Sequence, residues 1–202
     1  MSGIEDAVAA VRAGRPVVLP FDTVYGLAAD PIQSDAAERL YRLKGRVATQ
    51  PSALVAADLD HLLDFVPELR GRSETIARAL LPGPLTLIFP NPARRFPWIT
   101  GTNEEAIGVR VPAFAGPGAD ILARVGCVVA TSANHPGQAD PARLEDVPHD
   151  IRTGAAAVVD AGILPGTPST VVDLTGGDPR ILREGAVAKA DVLARAAAAT
   201  RA

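Results

Sequence analysis

Lys44 and Arg46, split by Gly45, are two cations spaced to hold an oxyanion. Lysine brings a compact charge and arginine a planar fork, so the pair can grip different oxygens of one polyphosphate or carboxylate. A glycine between them permits a sharp bend or close approach to a ligand. Taken alone, the triplet reads more simply as an ordinary helix ending, with Lys44 favoured by the helix dipole, Gly45 the left-handed cap and Arg46 solvated. Arg110 interrupts the apolar run Ile107-Gly108-Val109-Arg110-Val111. Those neighbours imply a partly buried guanidinium, which needs an anionic partner: a protein carboxylate or a ligand carboxylate. Arg183 poses the same choice, with Glu184 beside it as a surface partner. Thr23, Ser132, Asn134 and Ser169 lie where apolar runs meet polar turns. Hydroxyls and amides beside free backbone N–H groups can form an anion-binding nest, or they can simply shape the turns.

Other chemistry has less support. No GxxxxGK[ST] or helix-opening GxGxxG occurs, and no His or Cys spacing signals zinc. His61, His135 and His149 are scattered, and none is placed as a base. Cys127, the only cysteine, excludes an internal disulfide and a thiolate cluster, and its apolar run points to a buried, inert thiol. A net charge of −3 leaves no global basic field for nucleic acid, so any anion site must be local.

The elements that must carry these residues follow from periodicity and caps. Ser2 and Glu5 form a capping-box pattern for a first helix closed at Gly14, and Pro16 to Pro20 is a short buried strand. Phe21 to Leu27 reads as a turn rich in polar tips. Ser34 caps a second helix that presents Ala36, Leu40 and Leu43 on one face and ends at Lys44. Ser52 to Ala56 is a strand, Asp58 caps a helix, and Ser73 starts another that stops at Pro82-Gly83-Pro84. Leu85-Thr86-Leu87-Ile88-Phe89 alternates as a half-buried strand, and Ile107 to Val111 and Cys127 to Ala130 are strands too. Trp98 lies in the loop-like stretch from Pro90 to Asn103. Val158 and Val159 mark a short strand. Thr170 to Leu174 and Ile181 to Arg183 flank a hairpin signal at Thr175 to Pro179, and the tail from Lys189 is an alanine-rich helix. Strands and helices alternate early and hairpin-like pairing comes late. The expected fold class is therefore α/β: a single domain over residues 1–202 with a twisted, mixed parallel and antiparallel sheet. With no signal peptide and no run long enough to span a membrane, the expectation is a soluble, cytoplasmic chain with no membrane partner.

Seven segments then fall in a fixed order: Phe21-Asp22-Thr23-Val24-Tyr25-Gly26-Leu27, Lys44-Gly45-Arg46, Pro82-Gly83-Pro84-Leu85-Thr86, Gly108-Val109-Arg110-Val111-Pro112, Thr131-Ser132-Ala133-Asn134, Pro168-Ser169-Thr170-Val171-Val172-Asp173 and Leu182-Arg183-Glu184-Gly185. Together they resemble the YrdC-like domain of the threonylcarbamoyl-AMP synthase family, over about residues 4–188. The resemblance implies helices around an open, concave, basic cavity. It also implies a reaction that joins L-threonine, bicarbonate and ATP into threonylcarbamoyl-adenylate and releases pyrophosphate, for threonylcarbamoyladenosine modification of tRNA. ATP would be a substrate, magnesium its accompanying ion, and the proteins that transfer the threonylcarbamoyl group to tRNA the downstream partners, with tRNA or double-stranded RNA as a further partner to test. By the same resemblance Lys44, Arg46, Ser132 and Asn134 form the catalytic tetrad. They would bind ATP with Gln50 and Arg183, while Thr23, Arg110, Ser169 and the backbone at Ala130 hold threonine. Val47, Gln50-Pro51-Ser52, Val55, Phe21 and Asp140 depart from the family's usual pattern, and the absence of the long form's extra domain suggests the short bacterial type. The alternative is a diverged YrdC-like paralogue that binds nucleotide or RNA without threonine-dependent adenylate synthesis.

Overall fold

The computed structural model describes residues 2–47 and 49–199. Helices are α1 (Ile4–Arg12), α2 (Ser34–Lys44), α3 (Leu59–Phe65), α4 (Arg72–Leu80), α5 (Pro117–Val125), α6 (His149–Gly154) and α7 (Lys189–Ala199). Strands are β1 (Val17–Pro20), β2 (Tyr25–Ala29), β3 (Ala53–Ala56), β4 (Leu85–Pro90), β5 (Ala106–Arg110), β6 (Cys127–Ser132), β7 (Ala157–Val158), β8 (Thr170–Asp173) and β9 (Arg180–Arg183). The strands form one sheet in the order β7-β1-β2-β6-β3-β5-β4-β8-β9. The β1/β7, β3/β5 and β4/β8 pairs are parallel and the rest antiparallel, so the α/β fold has the mixed sheet expected. None of the described helices is long and apolar enough to cross a membrane.

Two-residue alternation divides the sheet into faces. One face carries Val18, Tyr25, Leu27, Leu54, Leu87, Phe89, Ile107, Val109, Val129 and Val172, covered by buried residues of α2, α3, α4 and α7. The other carries Val17, Leu19, Ala28, Val55, Val128 and Ala130, covered by Ala7, Val8 and Val11 of α1 and Ile121 and Leu122 of α5. That second layer ends near β3. Beyond it, the same face presents Gly108, Arg110, Thr86, Ile88, Val171 and Asp173 to a cavity rather than to a helix. The register joins them into a floor, with Ala53 opposite both Ala130 and Gly108, and Ile88 opposite Gly108 and Asp173.

Several local expectations shift. The cap of α1 is not a Ser2–Glu5 box: Gly3 precedes the helix and its N–H donates to Asp6 Oδ2 at 3.2 Å, while the Ser2 hydroxyl accepts from Val158 N–H. Gln33, not Ser34, precedes α2, and α4 starts at Arg72 behind Gly71. The segment read as a turn up to Leu27 shortens to Phe21–Val24, because Tyr25 to Ala28 pair in register with β1. Helix α5 is an element the sequence pattern does not announce, since Gly116-Pro117-Gly118 signals a turn while proline also suits a helix's first position. Asp58 caps α3 as expected, accepting from His61 N–H at 2.8 Å. Trp98 packs edge-on against Phe96 and donates to the Pro31 carbonyl. Cys127 is free and buried, and burial raises its pKa. The alanine-rich helix runs to Ala199; residues 1, 48 and 200–202 of the expected domain lie outside the described residues.

Candidate functional site

Helix α2 delivers the two cations through its ending. Arg46 N–H donates to Tyr41 O at 2.9 Å and Gly45 N–H to Arg42 O at 3.2 Å, the two hydrogen bonds of a Schellman ending. Gly45 sits at φ 66°, where a side chain is strained. The turn sends the neighbouring cations different ways. Lys44 is buried, at 4% exposure, and its ammonium donates to Ser132 O (2.5 Å), Asn134 O (2.7 Å) and Asn134 Oδ1 (3.0 Å). Ser132 also donates to Asn134 Oδ1 at 2.6 Å, and Asn134 Nδ2 donates to Gln138 O. Lys44 thus ties α2 to the loop after β6. Burial, and then the nearby Arg46 charge, lower its pKa to about 8.

Arg46 reaches the cavity. Its Nε donates to Gln50 Oε1 (3.0 Å), Nη1 to Thr131 Oγ1 (2.9 Å) and Nη2 to the Pro51 carbonyl (2.6 Å). A guanidinium has five N–H donors, so those bonds fix its plane and leave donors for an incoming anion. Burial lowers its pKa, yet arginine stays charged.

Arg110 ends β5 on the cavity face and forms an ion pair with Asp22. Of the two partners open to it, the protein carboxylate is present. Its Nη2 also donates to Thr23 Oγ1 at 2.8 Å. Ser169, at the mouth of β8, shares a hydrogen bond with Thr86 at 2.8 Å, and its carbonyl accepts from Arg183 Nη2 at 2.9 Å. Glu184 does not pair with Arg183; it accepts from Lys189 N–H.

The cavity encloses about 480 Å3. Of the expected site residues, Thr23, Arg46, Arg110, Ala130, Ser132, Ser169 and Arg183 line it. Lys44 and Asn134 lie behind Ser132 rather than on the wall, and Gln50 bonds to Arg46 without lining it. Three residues join the site beyond those expected: Thr131, which holds Arg46; Thr86, which holds Ser169; and Asp22, which holds Arg110. Alternation in β4 would have placed Thr86 opposite Leu87. Nothing local reveals Asp22, whose partner lies 88 residues away. Phe21 packs on Gly26, where an added Cβ would meet the ring at 2.5 Å, and its ring lies 6.0 Å from Phe114. His135 bonds to the Lys44 carbonyl and to Asp150, away from the cavity wall.

A family model described as "Telomere recombination", for Sua5, YciO and YrdC, matches residues 9–185. The chain belongs to the Sua5/YciO/YrdC family. Among curated members it is 33% identical over 186 residues to the putative threonylcarbamoyl-AMP synthase of Mycobacterium tuberculosis, covering 92% of this chain and 85% of that one. It is 33% identical to the threonylcarbamoyl-AMP synthase of Bacillus subtilis, covering 94% of this chain but 55% of that protein. Among family structures, Pyrococcus abyssi Sua5 complexed with L-threonine aligns with TM-score 0.85 at 30% identity, over 95% of this chain and 56% of that one. Escherichia coli YciO aligns with TM-score 0.78 at 26% identity, over 94% and 92%. The chain therefore spans just over half of the Bacillus and Pyrococcus proteins and most of the Mycobacterium one.

Proposed function

We propose that this chain is a threonylcarbamoyl-AMP synthase, forming threonylcarbamoyl-adenylate and pyrophosphate from L-threonine, bicarbonate and ATP. One observation carries the reading: Arg46, Arg110 and Arg183, from three separated segments, open into one cavity with the Ser132 and Ser169 turns. Relatives named for this activity, and a Sua5 structure holding L-threonine, support it.

In this reading Arg110, Thr23, Ser169 and the backbone at Ala130 bind threonine, with the guanidinium facing its carboxylate. Arg46, Ser132 and Arg183 face the triphosphate, and Lys44, Asn134 and Gln50 position that group from behind. Threonine's amine combines with bicarbonate to give a carbamate with loss of water, and a carbamate oxygen then attacks the α-phosphorus as pyrophosphate leaves. Carbamate and triphosphate are both anions, so the chief requirement is to hold them together against their repulsion. Fixed guanidinium groups do this without a protein base. Asp173 is committed to Thr175 and Arg180, which leaves Asp140 as the cavity carboxylate open to a hard cation. Magnesium commonly binds through one carboxylate and substrate phosphates, so Asp140 fits as the residue that would hold it. Its contribution would be to neutralise phosphate charge. Delivery of the adenylate to tRNA-modifying proteins in the cytoplasm follows from the same reading.

The test is pyrophosphate release from ATP with each substrate withheld in turn. The expected result is release that requires both L-threonine and bicarbonate. Release indifferent to threonine would overturn the assignment in favour of another nucleotide-dependent transfer.

A further inference from the structure

Arg110 is the natural clamp for an amino acid's carboxylate, yet the protein already occupies its most useful nitrogen. A guanidinium offers two forks to a carboxylate, one at the end through Nη1 and Nη2 and one at the side through Nε and Nη2. Both forks use Nη2. In Arg110 that nitrogen donates to Asp22 and to Thr23 Oγ1, so both of its hydrogens are engaged. Nε is buried without a hydrogen-bond partner, half of a fork lacking its other half. The Arg110 and Asp22 side chains are only 11% and 6% exposed, so water screens the pair weakly. Asp22 does not line the cavity, whereas Arg110 and Thr23 do. The carboxylate therefore approaches the guanidinium from outside the cavity, and its second oxygen has its own anchor in Ala113 N–H at 3.2 Å.

We propose that Asp22 is an internal stand-in for the substrate carboxylate. It neutralises the buried Arg110 until the amino acid arrives, then yields Nη2, which completes a fork with Nε. The physical reason is double. A buried guanidinium without an anion would cost the fold, so the clamp needs a resident partner. The same partner competes with substrate, because only the fraction of molecules with Nη2 released can bind a carboxylate through a full fork. The remaining bond to Ala113 gives Asp22 a place to stay once it lets go. Asp22 is thus a positioning residue that trades threonine affinity for a preformed site. The inference rests on Arg110 as the threonine-carboxylate site.

The trade gives stability and affinity opposite signs, which a merely structural residue would not do. Asp22→Asn keeps the shape and removes the charge. Calorimetric titration with L-threonine should show binding about tenfold tighter than wild type, while urea unfolds the variant earlier. L-Threoninol, which lacks the carboxylate, should bind both proteins alike. Unchanged or weaker L-threonine binding by Asp22→Asn, or an equal gain for L-threoninol, overturns the proposal. If that variant does not fold, the wild type still decides. Its Arg110 Nε–H resonance should shift as saturating L-threonine gives it a partner and stay in place with L-threoninol; no shift with L-threonine overturns the proposal. A wild type that binds no L-threonine sinks the synthase assignment and this inference together, whereas one that binds it normally confines any failure to Asp22.

Discussion

At Arg46, bonds to Gln50, Thr131 and Pro51 fix a guanidinium that lines the cavity and keeps donors to spare. Removing such a preorganised donor costs about 10²–10³ in rate, so Arg46→Ala should lower kcat/KM for ATP by that order while calorimetry finds L-threonine binding intact. Arg110→Ala should act on the other substrate, raising the KM for threonine about ten- to a hundredfold in steady-state kinetics and changing that for ATP less. It also strands Asp22 as a buried, unpaired charge, so urea unfolding should register a loss of about 3–5 kcal/mol. Lys44 gives a pH signature. Its pKa is lowered from 10.5 to about 8, so between those values the unfolded chain holds a proton that the folded chain has released. Stability from this group therefore rises with pH across that window, while activity falls. A neutral amine has two N–H groups for the acceptors on Ser132 and Asn134 that now take three bonds. Rate profiles and urea midpoints, each compared with Lys44→Met, check both trends.

At the scale of elements, the end of α2 matters more than its length. Gly45→Ala places a Cβ 3.7 Å from His135 Nδ1, an ordinary contact, so its cost is the backbone strain of φ 66°, about 1–2 kcal/mol by denaturation. It should also raise the ATP requirement, because the residues on either side are Lys44 and Arg46. His135 ties the same helix ending to α6, bonding the Lys44 carbonyl and Asp150. The carbonyl bond, and then Asp150, raise the imidazole pKa above 6.5. The tie is worth most below that value and is lost as pH rises through the higher folded pKa. The gap in urea midpoint between wild type and His135→Gln should therefore be wider at about pH 5.5 than at about pH 8.

For the whole molecule, the decisive feature is that α1 and α5 cover only half of one sheet face. Adjacent residues of one strand consequently have unlike duties. Leu87 is fully buried beneath helices, so Leu87→Ala should cost about 2–5 kcal/mol and leave substrate KM values alone. Thr86 faces the cavity and holds Ser169, so Thr86→Val should keep the urea midpoint near wild type and raise the KM for threonine. If both substitutions moved stability and KM together, the division into a covered and an open face would be wrong.

From its sequence alone, this protein had settled most strands, the left-handed turn at Gly45, the alternation of β4 and a partly buried Arg110, because each rests on neighbours within a turn or a few strand residues. Seven segments in order also identified the family's pattern. The tertiary structure decided which face of the sheet stays open, that Lys44 turns inward while Arg46 turns out, and that Asp22 holds Arg110. Those outcomes depend on packing between segments roughly 90 residues apart, such as Lys44 with Ser132 and Asp22 with Arg110. Local periodicity carries no record of contacts at that separation, since the energy that selects them exists only once the sheet has brought them together.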